Sequence, residues 1–159
     1  MEKIASFTVN HIDLEPGVYV SRRDTVGSEP VTTFDIRMTS PNDEPVMDTA
    51  AVHCLEHLGA TFLRNDPEWG PRTVYFGPMG CRTGFYLVAA GELGPADVLD
   101  VLTRLFTWAA SYDGPVPGAV PRDCGNYLDI NLPMARWEAR RYLDRCLTGI
   151  DEAHTVYPA

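Results

Sequence analysis

Residues 53–57 read HCLEH, so two histidines stand four positions apart and a glutamate directly precedes the second. On a helix, His53 and His57 lie one above the other and could bind a single metal ion. Glu56 projects from the same side, where its carboxylate could carry protons to and from a group at the metal's open position. The spacing indicates a catalytic metal centre. The alternative is a helix whose two histidines are satisfied by neighbouring groups.

Two histidines do not complete such a centre, because a catalytic metal is usually bound by three protein ligands and has one open position. Candidates for the third ligand are Cys124, the downstream glutamates, His11 and His154. Cys124 follows a Pro/Gly-rich loop, and Gly125 beside it allows close backbone approach. A set of two histidines and one cysteine suits Zn(II), Co(II) or Fe(II), and the ligands alone do not separate these metals.

Composition excludes several other kinds of chemistry. The formal net charge is −9, which argues against a nucleic-acid partner. Lys3 is the only lysine and stands near the terminus, so an imine mechanism is not expected. No apolar run reaches the ~18 residues that a membrane helix requires. We see no signal peptide, so we expect a cytoplasmic protein with reduced thiols, in which Cys54 is a core residue.

Patterning along the chain predicts the elements that must position these residues. Strands are indicated where β-branched and aromatic residues alternate, and helices where an apolar stripe follows a capping residue. Connections within the strand pairs are short, which favours an α+β fold with helices on one face of a mixed or antiparallel sheet. The predicted strands are 18–23, 31–38, 73–76 and 83–90, and the predicted helices are 49–65, one opening at Gly94-Pro95, and about 133–147.

Five segments, in order along the chain, resemble the S-ribosylhomocysteine lyase (LuxS) family, which makes the precursor of autoinducer-2. PMGCRTGFYL is the most specific of them, and together they span nearly all of the chain. The segments are SF-x-x-x-H (Ser6, Phe7, His11), FDIR (Phe34 to Arg37), HCLEHL (His53 to Leu58), PMGCRTGFYL (Pro78 to Leu87) and CGNY (Cys124 to Tyr127).

The resemblance implies a fold, an assembly and a set of site residues. The fold would be a four-stranded antiparallel sheet with helices packed on one face, a single domain over residues 1–159. The assembly would be a homodimer with active sites at its interface, and the metal would be Fe(II), with Zn(II) or Co(II) able to substitute. The implied ligands are His53, His57 and Cys124, the implied acid/base groups are Glu56 and Cys81, and Ser6, His11 and Arg37 would hold or polarise the substrate.

The implied substrate, S-ribosylhomocysteine, is a ribose whose C5 carries a thioether. Moving the carbonyl from C1 to C3 acidifies the C4 proton, and elimination then releases homocysteine and 4,5-dihydroxy-2,3-pentanedione. Each move needs a Lewis acid and groups that carry protons. A free thiol is a poor base at neutral pH, so Cys81 needs a cation. Arg82 is the adjacent candidate, and a substrate contact or a surface charge are its alternatives.

Two further expectations concern the strands. Arg37 is not expected to form a structural ion pair with Asp35. The segment before PMGC carries Tyr75 and Gly77, where many family members have an acidic residue that contacts the homocysteine end. The group that binds the substrate's ammonium is therefore open, with backbone carbonyls or another acidic side chain as candidates.

Two rival functions use the same helix. An HxxEH metallopeptidase would employ Glu56 to activate water, and its third ligand would be a downstream glutamate, best placed at Glu138. A structural metal domain would instead close the site with four protein ligands. The identity of the third ligand separates the peptidase from the lyase, and an open fourth position separates the structural metal domain from it.

Overall fold

Two antiparallel hairpins form the sheet. The computed structural model describes residues 2–159, in which β1 (Gly17–Val26) pairs with β2 (Glu29–Arg37) and β3 (Thr73–Pro78) pairs with β4 (Gly84–Ala90). The strands lie in the order β1-β2-β4-β3, and β2 pairs antiparallel with β4 at the centre. The predicted four-stranded antiparallel sheet is confirmed; β1 and β3 are longer than predicted, β2 begins two residues earlier, and β4 matches its predicted range to within one residue.

Three helices follow the predicted positions: α1 (Thr49–Asn65), α2 (Pro95–Ser111) and α3 (Leu132–Tyr142). The Asp48 side chain caps α1 by accepting a hydrogen bond from the backbone N–H of Ala51. The third helix does not continue as an α-helix to residue 147, because its last turn, Leu143–Leu147, is π-helical. Among residues 2–159, no helix combines the length and apolarity needed to cross a membrane.

All three helices cover one face of the sheet. Phe34 and Ile36 of β2 stand opposite Leu87 and Phe85 of β4, and these side chains belong to the same buried cluster as the apolar faces of the helices. Cys54 of α1 is fully buried in that cluster, which confirms its prediction as a core residue. Burial raises the pKa of its thiol to about 11, so Cys54 stays protonated at neutral pH.

The opposite face of β2 is also buried, which the sequence pattern did not predict. Asp35 and Arg37 are both less than 5% exposed, and they form a bidentate ion pair of 2.5 and 3.1 Å. The expectation that these residues do not pair is wrong, because positions two apart on a strand point to the same face. The C-terminal segment covers the pair: the Tyr157 hydroxyl donates to Asp35 Oδ2 at 2.9 Å, and its ring stacks on Tyr19.

Candidate metal centre and the neighbouring cavity

Helix α1 presents His53 and His57 on one face, and backbone carbonyls fix both rings. The Nδ1 of His53 lies 2.9 Å from the carbonyl oxygen of Asp129, and the Nδ1 of His57 lies 2.6 Å from that of Pro117. A carbonyl oxygen only accepts, so each Nδ1 carries the hydrogen and each Nε2 keeps its lone pair. This is the arrangement by which proteins orient histidines that bind metals through Nε2.

The two Nε2 atoms and the Cys124 sulfur form a ligand group. The Nε2 atoms are 3.1 Å apart, Cys124 Sγ is 3.4 Å from His53 Nε2, and all three atoms lie within 4.8 Å of one another. Ligand bonds of ordinary length around a tetrahedral ion give about 3.3 Å between two nitrogens and about 3.5 Å between nitrogen and sulfur. The observed separations are close to these values, so the residues fit a metal ion.

The segment after α2 brings Cys124 to the helix. The backbone N–H of Cys124 donates to the Val120 carbonyl at 3.0 Å, and the N–H of Asn126 donates to Cys124 Sγ at 3.4 Å. Gly118 has a φ of +70°, and a Cβ there would stand 3.2 Å from His57 Nδ1. The segment is tied to α1 where the Asn131 N–H donates to the Ala50 carbonyl.

The other candidates for a third ligand lie elsewhere. Glu138 is 4% exposed on α3, and it accepts two hydrogen bonds from the guanidinium of Arg141. The Nδ1 of His154 lies 2.8 Å from the Pro16 carbonyl, and the Nδ1 of His11 lies 2.9 Å from the Val9 carbonyl. Within residues 2–159, the group with ligand-like spacing contains neither these histidines nor any glutamate, which does not favour the metallopeptidase.

A separate cavity of about 730 Å³ collects four of the other predicted site residues: Ser6, His11, Arg37 and Cys81. Its volume suits a small organic substrate. The residues that line it do not include the three candidate ligands, Glu56 or Arg82. Several of its polar lining residues were not predicted from the sequence; they are Asn42, Asp43, Glu44, Thr83 and Tyr86.

Cys81 stands exposed on the turn between β3 and β4. Burial of part of the side chain raises the pKa of its thiol, but hydrogen bonds from the side chain and backbone of Thr83 and the charge of Arg37 outweigh that effect. The net pKa lies below the ordinary value of a cysteine. The cation that acts on Cys81 is thus Arg37, since the guanidinium of Arg82 donates to the Met47 carbonyl at 3.3 Å.

Arg82 has a positive φ of +60° that is uncommon for a residue other than glycine, and this backbone conformation belongs to the tight turn that carries Cys81. Its predicted contact with the substrate stays a prediction. Glu56 is half-buried on α1, one position before His57, and its predicted role in proton transfer stays a prediction as well.

Comparison with known proteins gives one consistent result. The family model described as S-Ribosylhomocysteinase (LuxS) matches residues 4–153. A curated protein of Clostridium acetobutylicum named S-ribosylhomocysteine lyase is 58% identical over 158 residues, and one of the same name from Clostridium beijerinckii is 56% identical. A third of that name, from Finegoldia magna, is 51% identical. Each alignment covers 99% of this chain and 99% of its relative.

Proposed function

The chain belongs to the S-ribosylhomocysteinase (LuxS) family, and from this membership we propose that it cleaves S-ribosylhomocysteine to homocysteine and 4,5-dihydroxy-2,3-pentanedione. The product is the precursor of autoinducer-2. The observation that carries the proposal is the group formed by His53, His57 and Cys124, whose ligand atoms lie within 4.8 Å of one another. That group has the three ligands that a catalytic metal uses, and it leaves a fourth position for a substrate.

The chemistry explains why a metal belongs in this reaction. Homocysteine can leave C5 only after the sugar's carbonyl has moved from C1 to C3. Each move takes a proton from the carbon that becomes the new carbonyl and returns it to the former carbonyl carbon. When bound, the ion supplies Lewis acidity to the sugar oxygens. We propose that Fe(II) fills this role in the cell and that Zn(II) or Co(II) can replace it, because all three accept nitrogen and sulfur ligands.

Two side chains carry the protons in this proposal. Glu56 lies on the same helix as two of the ligands and is half-buried beside them. Cys81 is an exposed thiol whose pKa is lowered by Thr83 and Arg37 despite its partial burial, so at neutral pH a larger fraction of it than of a free cysteine is the thiolate that can accept a proton. Ser6, His11 and Arg37 line the same cavity as Cys81, which supports a role for them in holding the sugar.

We propose that the active site is completed by a second copy of this chain. The cavity that holds Cys81 does not include the three candidate ligands, so neither part alone provides both the metal and the thiol. Large apolar side chains are exposed near both parts, as at protein interfaces. They are Ile4, Phe7, Ile12 and Val46 on the cavity side, and Val120, Tyr127 and Leu128 on the side of Cys124.

Asp43 is our candidate for the group that binds the substrate's ammonium. Its exposed carboxylate lines the cavity with Cys81, where Tyr75 and Gly77 provide no acid. Glu44 lines the same cavity, but its carboxylate already pairs with Arg141 and Arg145 and accepts from the backbone N–H of Ser40. Among the described residues that line this cavity, the charge on Asp43 is therefore the one available for a cationic substrate group. A cytoplasmic location accords with four free cysteines.

Incubation of the Fe(II)-loaded protein with S-ribosylhomocysteine, under nitrogen, tests the function. Homocysteine and the dicarbonyl product should appear in equal amounts, each measured by derivatisation after quenching, so that the thiol reagent never meets Cys81. The metal-free protein, prepared by chelation, is the control and should release neither. If the loaded protein forms no homocysteine, or forms it without the dicarbonyl product, the proposed reaction is wrong.

A further inference from the structure

Thr83 stands between the thiol of Cys81 and the guanidinium of Arg37. Its hydroxyl oxygen lies 3.1 Å from Cys81 Sγ and 2.5 Å from Arg37 Nη1. The residue is 4% exposed, whereas Cys81 itself is exposed in the cavity. The three side chains thus form a chain of two hydrogen bonds that runs from the buried face of β2 to the cavity.

The chemistry of the three groups fixes the direction of these hydrogen bonds. A guanidinium has donors and no acceptor, so Arg37 donates and the Thr83 oxygen accepts. The single hydroxyl hydrogen of Thr83 then has Cys81 Sγ as its remaining partner. A protonated thiol that donated to Thr83 would leave this hydrogen unpaired in a buried site, which is costly. Thr83 therefore donates to the sulfur.

Other contacts hold these three side chains in place. Arg37 is anchored by its bidentate pair with Asp35, and Asp35 accepts a further hydrogen bond from Tyr157. The carbonyl of Thr83 accepts from the backbone N–H groups of Met38 and Thr39, which fixes the residue independently of its side chain. A hydrogen bond polarised by a neighbouring cation is strengthened, so Thr83 passes part of the influence of Arg37 to the sulfur.

We propose that Thr83 is a positioning residue of the reaction: its hydroxyl, polarised by Arg37, holds the Cys81 sulfur as a thiolate aimed into the cavity. The proposal rests on the proposed function only in taking Cys81 as the group that moves protons. In this proposal Thr83 acts through the sulfur of Cys81. The predicted effect is on the protonation and rate of Cys81, with substrate affinity largely spared.

The test is the pH dependence of Cys81 alkylation by iodoacetamide in the metal-loaded protein, with the modified peptide quantified by mass spectrometry. Thr83→Val removes the hydroxyl at nearly constant volume, and Thr83→Ala removes it without leaving a methyl group against Arg37. Both should move the profile to higher pH. Loss of a hydrogen bond to a charged group predicts that alkylation on the rising limb slows about tenfold. Thr83→Ser keeps the hydroxyl and should follow the wild-type profile.

The same variants separate this role from a structural one. For Thr83→Val and Thr83→Ala, kcat should fall about tenfold while KM for S-ribosylhomocysteine stays within about twofold, and urea unfolding shows whether either variant is folded. The proposal is overturned if the profiles of Thr83→Val and Thr83→Ala superimpose on that of wild type, or if Thr83→Ser shifts as far as Thr83→Ala. Alkylation needs no turnover, so a wild-type protein without lyase activity would refute the proposed function and leave this test intact.

Discussion

At the scale of single residues, Glu56 is expected to matter for chemistry and not for metal binding. It is adjacent to His57 in sequence but does not belong to the group of three ligand atoms. Glu56→Gln should keep the metal and lower kcat by about 10²- to 10⁴-fold, the usual contribution of a general acid/base. Metal content by atomic emission and homocysteine release measure the two effects. A variant with near-normal turnover would remove Glu56 from the mechanism.

Cys124 should behave in the opposite way, because its sulfur is one of the three candidate ligand atoms. Cys124→Ala should weaken Co(II) binding by at least tenfold and abolish the near-ultraviolet charge-transfer band of a cobalt–thiolate bond. Cys54→Ala is the matched control, since Cys54 lies on the same helix as the histidines but is buried in the core. Equal cobalt affinity in Cys124→Ala and wild type would mean that the assigned ligand set is wrong.

Asp43 is expected to act on affinity. Asp43→Asn should raise KM for S-ribosylhomocysteine about tenfold with little change in kcat, because a neutral amide loses the charge-assisted contact with the ammonium. Asp144→Asn is the control, since Asp144 is also exposed but does not line the cavity. If KM changes equally in both variants, Asp43 is not the group that binds the ammonium.

The residues that sequence analysis identified and those it missed differ in a physical way. The proximity of His53 and His57 was predictable because helical periodicity alone places them together, and the motif containing Cys124 supplied the third candidate ligand. Thr83 and Asp43 were not predictable, since their importance depends on which side chains of other segments they face. The Arg37–Asp35 pair was predictable, because residues two apart on a strand point to the same face. The expectation was wrong because it treated the two residues as adjacent positions, which point to opposite faces.

At the scale of elements, the turn at Gly118 is expected to control how firmly the segment after α2 holds His57 of α1. Gly118 has φ +70°, and the carbonyl of its neighbour Pro117 orients His57. Gly118→Ala adds the cost of a left-handed alanine, about 1 kcal/mol, and also places a methyl group against the His57 ring. We expect folded protein with a several-fold weaker affinity for Co(II), measured by competition with a chromophoric chelator.

Gly27→Ala is the matched control for that change. Gly27 has a similar φ of +66°, but a Cβ there would meet nothing within 4 Å. It should show a comparable loss in urea stability with unchanged cobalt affinity. If both variants weaken cobalt binding alike, the effect comes from general destabilisation and the loop has no specific influence on His57.

Most element boundaries followed from local signals. The cap at Asp48, the Gly94-Pro95 start of α2 and the alternation in β2 each matched the structure within a few residues. The π-helical end of the third helix did not, because that segment has the composition of an ordinary helix and its backbone depends on packing against the rest of the molecule. The contact of the C-terminal segment with Asp35 was not predicted either, because it too depends on packing against the rest of the molecule.

At the scale of the whole molecule, the proposal that two subunits share each active site predicts complementation between two inactive variants. Cys81→Ala keeps the ligands, and His57→Ala keeps the cavity thiol. If the two parts of a site come from different subunits, mixing the variants under conditions that exchange subunits should restore up to about a quarter of wild-type activity, since half of the dimers are mixed and each has one intact site.

Each variant incubated with itself provides the baseline for that experiment. If every site were built from a single subunit, the mixed dimers would still lack either the metal or the thiol at each site, and activity would stay at the baseline. Sedimentation measured on the same samples shows whether dimers form and exchange. A monomeric protein with full activity would overturn the proposed assembly directly.

The absence of the candidate ligands from the cavity that holds Cys81 has a consequence for how the reaction rate depends on protein concentration. A lone subunit would carry both halves of the catalyst and still be inert, so turnover would require an encounter between copies. Below the dissociation constant of the pair, total rate would rise with the square of the protein concentration, and dilution alone would silence the enzyme without any inhibitor.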